Sequence, residues 1–441
     1  MKSHHQVGWG KIHSSTSFIY TPHEFNVELR EQTESGLPVG LGRSYGDCSI
    51  NSQGVYFKVD SDYNIEINEK EMYAICTSNV SIGDLERAAI KKGFFPLVVP
   101  GTEFVTVGGA IASNIHGKSH HTSGSFGESV LEIDLLISKN KILRLTPEGE
   151  NSNYFWATVG GMGLTGIITQ AKIKLKKIES SFVLVEEKRA KNLNQMLDLI
   201  KLFDTKFEYT VAWIDLSGKY LGRGIVTGGN HAKITELNSR SSKNPLKIIN
   251  AGKFIVPNFF PSWFINRFTV QFFNYFWFHK PLQKGQKHIR KFLHPLDSAR
   301  EWNNIYGRSG LIQFQFQIPF KEEEFLKTIL NELRNNKVAS FLGVLKSLGK
   351  SDRSFLGFPD TGWTLAIDFS GNRRELFPKV KKIMQEIATL NGKVYLTKDS
   401  LLEESIFNAM YRNSGEWKRI KKELDPHNYW KSDQGARLGL C

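Results

Sequence analysis

Gly160-Gly-Met-Gly-Leu-Thr-Gly-Ile-Ile-Thr-Gln-Ala-Lys-Ile-Lys-Leu175 contains a formal G-x-G-x-x-G at Gly161, Gly163 and Gly166. A nicotinamide-dinucleotide fingerprint needs a strand before it and a helix after it, so that the pyrophosphate meets a helix N-terminus. Here Ile167 to Ile178 alternates apolar and polar residues, which is the period of a strand. The Rossmann reading is therefore rejected, and a different strand-rich architecture is expected.

Two more glycine blocks lie upstream. Pro38-Val-Gly-Leu-Gly-Arg-Ser-Tyr-Gly-Asp47 places Gly40, Gly42 and Gly46 where a backbone folds tightly and turns its N–H groups inward. Such a concavity holds phosphate oxygens; a plain glycine turn is the alternative. In Pro100-Gly-Thr-Glu-Phe-Val-Thr-Val-Gly-Gly-Ala-Ile-Ala-Ser-Asn-Ile-His-Gly-Lys118, small residues from Gly108 to Ser113 let a flat ligand approach the backbone. His116 and Lys118 add polar groups beside it. His120 and His121 follow without a nearby carboxylate or cysteine, and Gly117 and the serines suggest a loop, so no metal site is expected.

Around these blocks the spacing predicts strands at Val55–Val59, at 73–77 and at Phe95–Val99, two more in 129–145 around Lys139–Asn140, and a helix capped by Ser81 and ended by Gly93. Beyond residue 178 the texture changes. Residues 322–335 and 376–390 read as amphipathic helices, the second with Val380, Ile383, Met384, Ile387 and Leu390 on one stripe.

The 441 residues exceed one ordinary core, so two domains are expected. Lys and Arg outnumber Asp and Glu by 58 − 44 = 14, which favours an anionic partner. Cys48, Cys76 and Cys441 form no disulfide framework or zinc set and suit a reducing compartment. No secretory signal is expected at the polar, His-rich start, and no membrane-spanning run occurs. Cys441 is not a prenylation box.

GLGRSYGD, GTEFVTVGGAIASNIHGKSHH, FWATVGGMGLTG and YLTKDS together resemble the vanillyl-alcohol-oxidase-type FAD-binding fold, and within it the decaprenylphosphoryl-β-D-ribose 2-oxidase family. The resemblance runs from Trp9 to near the C-terminus, through Glu301-Trp-Asn303 and Gln313-Phe-Gln315, and is weakest over 179–300. It implies an α+β, two-domain flavoprotein. The PCMH-type FAD domain would be 1–178. A substrate (cap) domain on an antiparallel sheet with helices would be 179–392, and 393–441 would return to the FAD domain.

The resemblance also implies site residues. The first loop, Pro38, Val39, Gly40, Leu41, Gly42, Arg43, Ser44, Tyr45, Gly46, Asp47 and Cys48, matches the FAD pyrophosphate loop. Gly101, Thr106, Val107, Gly108, Gly109, Ser113, Asn114, Ile115, His116, Ile168 and Tyr395 match further FAD contacts. Some relatives in the wider fold link flavin to a histidine where Arg43 stands, so FAD is expected to be non-covalent. Lys398, Tyr45 and Lys118 are the implied catalytic residues. Lys118, Trp213, Gln313, Gln315, Lys346 and Lys398 are implied on the substrate side. Mycobacterial members carry Asn-Ile-Cys at Thr364-Leu365-Ala366 and a tyrosine at Leu293, so the sugar and lipid stay open.

The implied reaction is oxidation of the 2-hydroxyl of a polyprenyl-phosphate-linked ribose, the first step of epimerisation to arabinose, with a nicotinamide-dependent reductase as partner. A soluble alditol or aldonolactone oxidase on the same fold is the alternative. A nucleic-acid-binding protein, suggested by charge and interleaved aromatics, leaves the glycine blocks unexplained. What favours the lipid-linked substrate is the basic, aromatic segment 251–291, of which Phe254–Lys291 is expected to rest on the membrane face. Twelve aromatics fall between Phe254 and Phe278, Trp263 and Phe268 among them. Lys253, Arg267, Lys280, Lys284, Lys287, Arg290 and Lys291 accompany them, and no acidic residue occurs between Glu236 and Asp297. Pro257, Pro261 and Arg267 argue against a span, so peripheral contact with the inner face of the cytoplasmic membrane is expected. An aromatic-rich core of the substrate domain is the competing reading.

Overall fold

The computed structural model describes residues 2–25, 29, 33–60, 63–138, 141–217, 220–250, 252, 254–261, 264–336, 338, 340 and 342–441. Lys139–Asn140, Lys253 and Trp263 lie outside the described residues. The architecture is mixed α+β, built on three sheets.

The first sheet is a hairpin, β1 (Lys2–Val7) and β2 (Ser14–Tyr20), extended in parallel by β4 (Val55–Phe57), which also pairs with β3 (Gly36–Pro38). The second runs β5 (Ile65–Asn68), β6 (Tyr73–Thr77), β10 (Ile167–Lys177), β8 (Val130–Ser138) and β9 (Lys141–Leu145), with β7 (Phe94–Pro96) also on β10. β10 begins directly after Gly166, so the third glycine block feeds a strand and not a helix. The expected strands at Val55 and Phe95 are shorter, ending at Phe57 and Pro96. Val59 and Val99 stay buried but pair with no strand.

The third sheet is antiparallel throughout. Its order is β14 (Lys284–His288), β11 (Phe182–Ala190), β13 (Gly224–His231), β12 (Tyr209–Ile214), β16 (Gly343–Leu348), β17 (Gly362–Ser370), β15 (Leu311–Ile318) and β18 (Lys393–Val394).

Among the described helices, α1 (Ile82–Lys91) starts at the Ser81 cap, whose hydroxyl accepts the Asp84 N–H at 3.0 Å. It is followed by α2 (Val107–Ala112), α3 (His120–Ser123), α4 (Ser152–Thr158) and α5 (Leu193–Asp204). Next come α6 (Arg267–His279), α7 (Ile289–Leu293), α8 (Glu323–Asn335) and α9 (Phe377–Thr389). α10 (Glu404–Met410), α11 (Ser414–Leu424) and α12 (Asp433–Arg437) complete the chain. The expected loop at His120–His121 is instead the single turn α3, because Ser119 supplies its carbonyl to Thr122 and Ser123.

One apolar cluster runs from the second sheet into the third, so both halves share a core. The C-terminal segment packs back on the first half. Trp417 is fully buried and donates its indole N–H to the Ala157 carbonyl at 2.8 Å. Phe25, Phe57, Tyr429 and Trp430 pack together, Phe25 stacking on Tyr429 and Phe57 meeting Phe25 and Trp430 edge to face. Arg437 of α12 ties Asp47 at 2.7 Å and Asp399 at 2.9 Å, fixing the first glycine loop against YLTKDS.

Candidate active site

A cavity of about 630 Å³ lies where the two halves meet. Its first end is walled by the 38–48 loop, the 99–118 segment and the 162–168 turn. These approach closely because they lack side chains. A Cβ on Gly40 would sit 2.4 Å from Thr106 Oγ1, and one on Gly46 would fall 1.6 Å from the Asp399 carbonyl oxygen. Gly42 adopts φ +64°, the left-handed region that glycine enters without steric cost. Thr106 caps α2 by accepting the Gly109 N–H at 3.1 Å. At Gly101 a Cβ would meet nothing within 4 Å, so bare backbone faces the cavity there.

The other end is lined by the third sheet: Trp213 on β12, Gln313 and Gln315 on β15, Lys346 on β16, and Thr364 and Ala366 on β17. Lys118 and Lys398 complete it. All but four of the residues singled out from sequence line this one cavity. Gly46, Asp47, Val107 and Asn114 stand behind its wall. Asp47 is paired to Arg437, Val107 is fully buried, and Asn114 donates to Asp352 at 2.8 Å while accepting the Gly127 N–H at 2.9 Å.

Burial shapes the charges. Lys398 follows a turn in which its N–H donates to the Tyr395 carbonyl at 2.9 Å. Its ammonium lies 3.5 Å from the Tyr45 ring centroid. Desolvation brings its pKa down to about 7, against the pull of Asp368. Lys346 is likewise lowered to about 7 by burial, with Lys118 adding repulsion. It sits 2.6 Å from His116 Nδ1 and donates to the Gly117 carbonyl at 2.8 Å. Burial first, and Lys346 next, push His116 well below the ordinary histidine value, so the ring is neutral. Gln315 Nε2 lies 3.1 Å from His116 Nε2 and donates to Thr364 Oγ1 at 3.3 Å. Lys118 is lowered to about 8, chiefly by burial, and donates to the Leu293 carbonyl at 2.6 Å. Burial raises Tyr45 well above an ordinary phenol, so it acts as a neutral donor or acceptor.

His120 and His121 do not converge on a common point. His120 Nδ1 accepts the Gly349 N–H at 3.0 Å, and His121 Nε2 lies 2.9 Å from the Phe207 carbonyl.

Sequence reasoning named Arg43 and Lys280 but not the ion pairs they make, and it did not single out Asp368. Arg43 is paired to Glu301 at 3.2 Å and lies 4.1 Å from the Trp9 ring centroid. Lys280 is paired to Glu187 at 3.1 Å at the cavity wall beside Trp277. Asp368, fully buried on β17, accepts from Gln313 Nε2 at 2.6 Å. An acid inside the apolar run Trp363–Phe369 was the available signal for the last.

The glycine-walled end, with bare backbone, apolar neighbours and a serine hydroxyl at Ser44, fits a long dinucleotide, and the lysine at 398 fits a group that takes up negative charge. Residues 27–146 match the FAD binding domain family. The chain is therefore an FAD-dependent oxidoreductase, with a PCMH-type FAD-binding domain joined to an antiparallel sheet with helices.

Decaprenylphosphoryl-beta-D-ribose oxidase of Mycolicibacterium smegmatis is 34% identical over 447 residues, covering 98% of this chain and 97% of that one. The chain belongs to the decaprenylphosphoryl-β-D-ribose oxidase family. An uncharacterized protein in the mprA 5' region of Streptomyces coelicolor is 26% identical over 82% of this chain and 100% of its own. D-lactate dehydrogenase of Archaeoglobus fulgidus is 27% identical, but over only 34% of this chain and 36% of its own.

Proposed function

We propose that this flavoenzyme oxidises the 2-hydroxyl of a polyprenyl-phosphate-linked ribose to the 2-keto sugar, the first step of epimerisation to the arabinose form. A nicotinamide-dependent reductase would then act on the keto sugar. The observation that carries the reading is the single cavity joining the glycine-walled end to the lysine-lined sheet, in a chain similar end to end to a ribose oxidase. We assign residues 1–178 to FAD binding, 179–392 to substrate binding and 393–441 to a segment returning to the FAD domain.

In this reading Pro38–Cys48, Gly101, Thr106–Gly109, Ser113–His116, Ile168 and Tyr395 hold FAD. Gly46, Asp47, Val107 and Asn114 do so indirectly, by fixing the loops. FAD is held without a covalent bond, because Arg43 has no nucleophilic ring nitrogen and is committed to Glu301. Oxidation removes a hydride from the carbinol carbon and a proton from its oxygen, and bound FAD supplies the hydride acceptor. Lys398, Tyr45 and Lys118 are the catalytic residues. Lys398 stabilises the negative charge that collects at its wall of the cavity. The Tyr45 phenol and Gln313 orient the sugar, while Lys118, Lys346, Gln315 and Trp213 line its approach.

Membrane contact belongs to the same reading. α6 buries only Val270 and Asn274 and presents Phe268, Phe272 and Phe276 to solvent, 81%, 68% and 57% exposed. Monomeric soluble proteins rarely leave such a patch uncovered. Trp277 of the same helix lines the cavity, so a lipid tail lying along α6 reaches its mouth. Arg267, Lys284 and Lys291 are exposed, whereas Arg290 is buried against Glu103 at 2.6 Å and is withdrawn from the basic set. No described helix is long and apolar enough to cross a membrane. A cytoplasmic enzyme resting on the inner membrane face accounts for both facts.

The deciding experiment is anaerobic bleaching of the flavin band by a panel of lipid-linked and free sugars. Bleaching by lipid-linked ribose and not by free alditols supports the reading; the reverse makes the chain an alditol oxidase. Acid precipitation should release all the flavin, and yellow colour kept in the washed pellet would overturn non-covalent binding. Lys398→Ala should keep FAD and lose roughly 100-fold or more in turnover.

A further inference from the structure

Behind the Lys398 wall lies a carboxylate with no place in the reading so far. Asp368 is fully buried on β17. In the antiparallel register it stands directly opposite Gln313 of β15, so the two side chains share a face. Asp368 Oδ1 accepts the Gln313 amide N–H at 2.6 Å, and among the described residues Oδ2 has no hydrogen-bond partner. Gln313 also hydrogen-bonds Tyr45, whose ring carries the Lys398 ammonium 3.5 Å from its centroid. Asp368 itself acts electrostatically on Lys398, Tyr45 and Tyr306. Three cavity-lining groups therefore lead back to one acid that does not line the cavity.

We propose that Asp368 is a positioning residue for the oxidation: its carboxylate keeps Lys398 in the ammonium form and fixes the Gln313 amide, and through it the Tyr45 phenol.

A buried charge is costly unless paired, and among the described residues neither Asp368 nor Lys398 has another full partner of opposite sign. Around Lys398 the titratable groups are Asp368 on β17, Cys48 and Tyr45 from the first glycine loop, and His116 from the second. Burial holds the Cys48 thiol up at about 12, and Tyr45 and His116 are neutral, so among the described residues the Asp368 carboxylate is what offsets the lysine's desolvation. Burial raises Asp368 to about 7, with Gln313 and Lys398 restraining the push, so its carboxylate is fully present only above that pH. The amide is locked the same way. With Nε2 committed to an acceptor, Gln313 cannot flip without setting its carbonyl oxygen against the carboxylate.

The sign of the pH effect follows. Attraction by Asp368 raises the Lys398 pKa, so its removal lets the lysine lose its proton at lower pH. The cost of losing the carboxylate is small where both enzymes keep the ammonium. It grows as pH rises through the variant's lowered value and levels off above the wild-type value.

The test uses the FAD-loaded full chain and three variants, D368N, D368E and K398A. Lipid-linked ribose is the reductant in anaerobic stopped flow, and the midpoint potential of the bound FAD is followed against pH. D368N should bind FAD and show a deficit of about tenfold at pH 8 that shrinks toward pH 6, a tenfold change corresponding to one unit of pKa. Its flavin potential should fall below the wild type at pH 8 and rejoin it at low pH. D368E should recover part of both. If D368N does not fold, D368E against wild type carries the same test, with a smaller shift in the same direction. A deficit equal at every pH with an unchanged potential, or no deficit, overturns the role of Asp368. The proposal rests on the Lys398 assignment, and K398A separates the two. Normal turnover in K398A removes that assignment, whereas lost turnover there with no pH shift in D368N removes Asp368 alone.

Discussion

α6 and α9 are both thirteen residues long, yet they meet solvent in opposite ways. α9 turns Val380, Ile383, Met384 and Ile387 into the core, an i, i+3, i+4, i+7 stripe, and leaves its lysines in water. α6 carries more aromatic surface but buries only Val270 and Asn274. What anchors it is polar. Asn274 donates to Asp215 Oδ1 at 2.8 Å and to Ser217 Oγ at 3.2 Å, and Asp215 is held by Arg223 at 3.0 Å. The same length of helix is thus fastened by apolar burial in one case and by a buried hydrogen-bond cluster in the other. The second arrangement leaves the apolar side chains free to face another medium.

The largest expected effect breaks the comparison at its exposed face. Phe268→Ser, Phe272→Ser and Phe276→Ser together should abolish co-sedimentation with anionic vesicles while the FAD spectrum stays unchanged. Burying much of one phenyl ring is worth on the order of 2 kcal/mol, so three lost rings cost well over 100-fold in affinity. If wild-type protein ignores such vesicles, the patch serves another partner and the membrane reading fails.

Next comes the core helix. Ile387→Ala removes a fully buried side chain and should cost about 2–5 kcal/mol in a denaturant titration, with vesicle binding intact. A loss under ~1 kcal/mol would mean that α9 is not the load its burial indicates. Asn274→Ala should fall between the helices. It strips a donor from the buried Asp215 and should cost roughly 1–3 kcal/mol, with faster amide exchange along α6 than along α9. Equal exchange in both would show that the polar cluster does not hold α6.

Periodicity made α9 legible in the sequence, because an amphipathic stripe states where the core lies. It made α6 legible only as an aromatic-rich segment. No single-sequence pattern distinguishes rings that pack from rings that face out, so the sequence left the membrane and core readings both open, and exposure shows only that Phe268, Phe272 and Phe276 are not packed in the core. The glycine blocks were readable as a cradle, since close approach demands missing side chains at Gly40 and Gly46. The strand after Gly166 was readable from alternation alone. Asp368 was not singled out, because its meaning depends on cross-strand register with Gln313, and register between β15 and β17 joins residues 55 apart in sequence. Arg290 misled for the same reason: its partner, Glu103, is 187 residues away.

The smallest expected effect is the sharpest test of the contrast. Phe268→Ser alone should change folding stability by no more than about 0.5 kcal/mol, because the side chain is 81% exposed and little contact is lost. A phenylalanine that packs in a core would lose 3–5 kcal/mol on truncation, so the two cases are well separated. The Asn266 cap, whose side-chain Oδ1 accepts the Phe268 and Thr269 N–H groups at 2.8 and 3.1 Å, uses only the backbone of Phe268 and survives the change. Vesicle affinity should nevertheless drop by more than the error of a sedimentation assay, since the ring leads the exposed face. A stability loss above ~1 kcal/mol would place Phe268 in the packing of the folded protein. α6 would then differ from α9 in degree only, and the exposed aromatic face would lose its claim to be a docking surface.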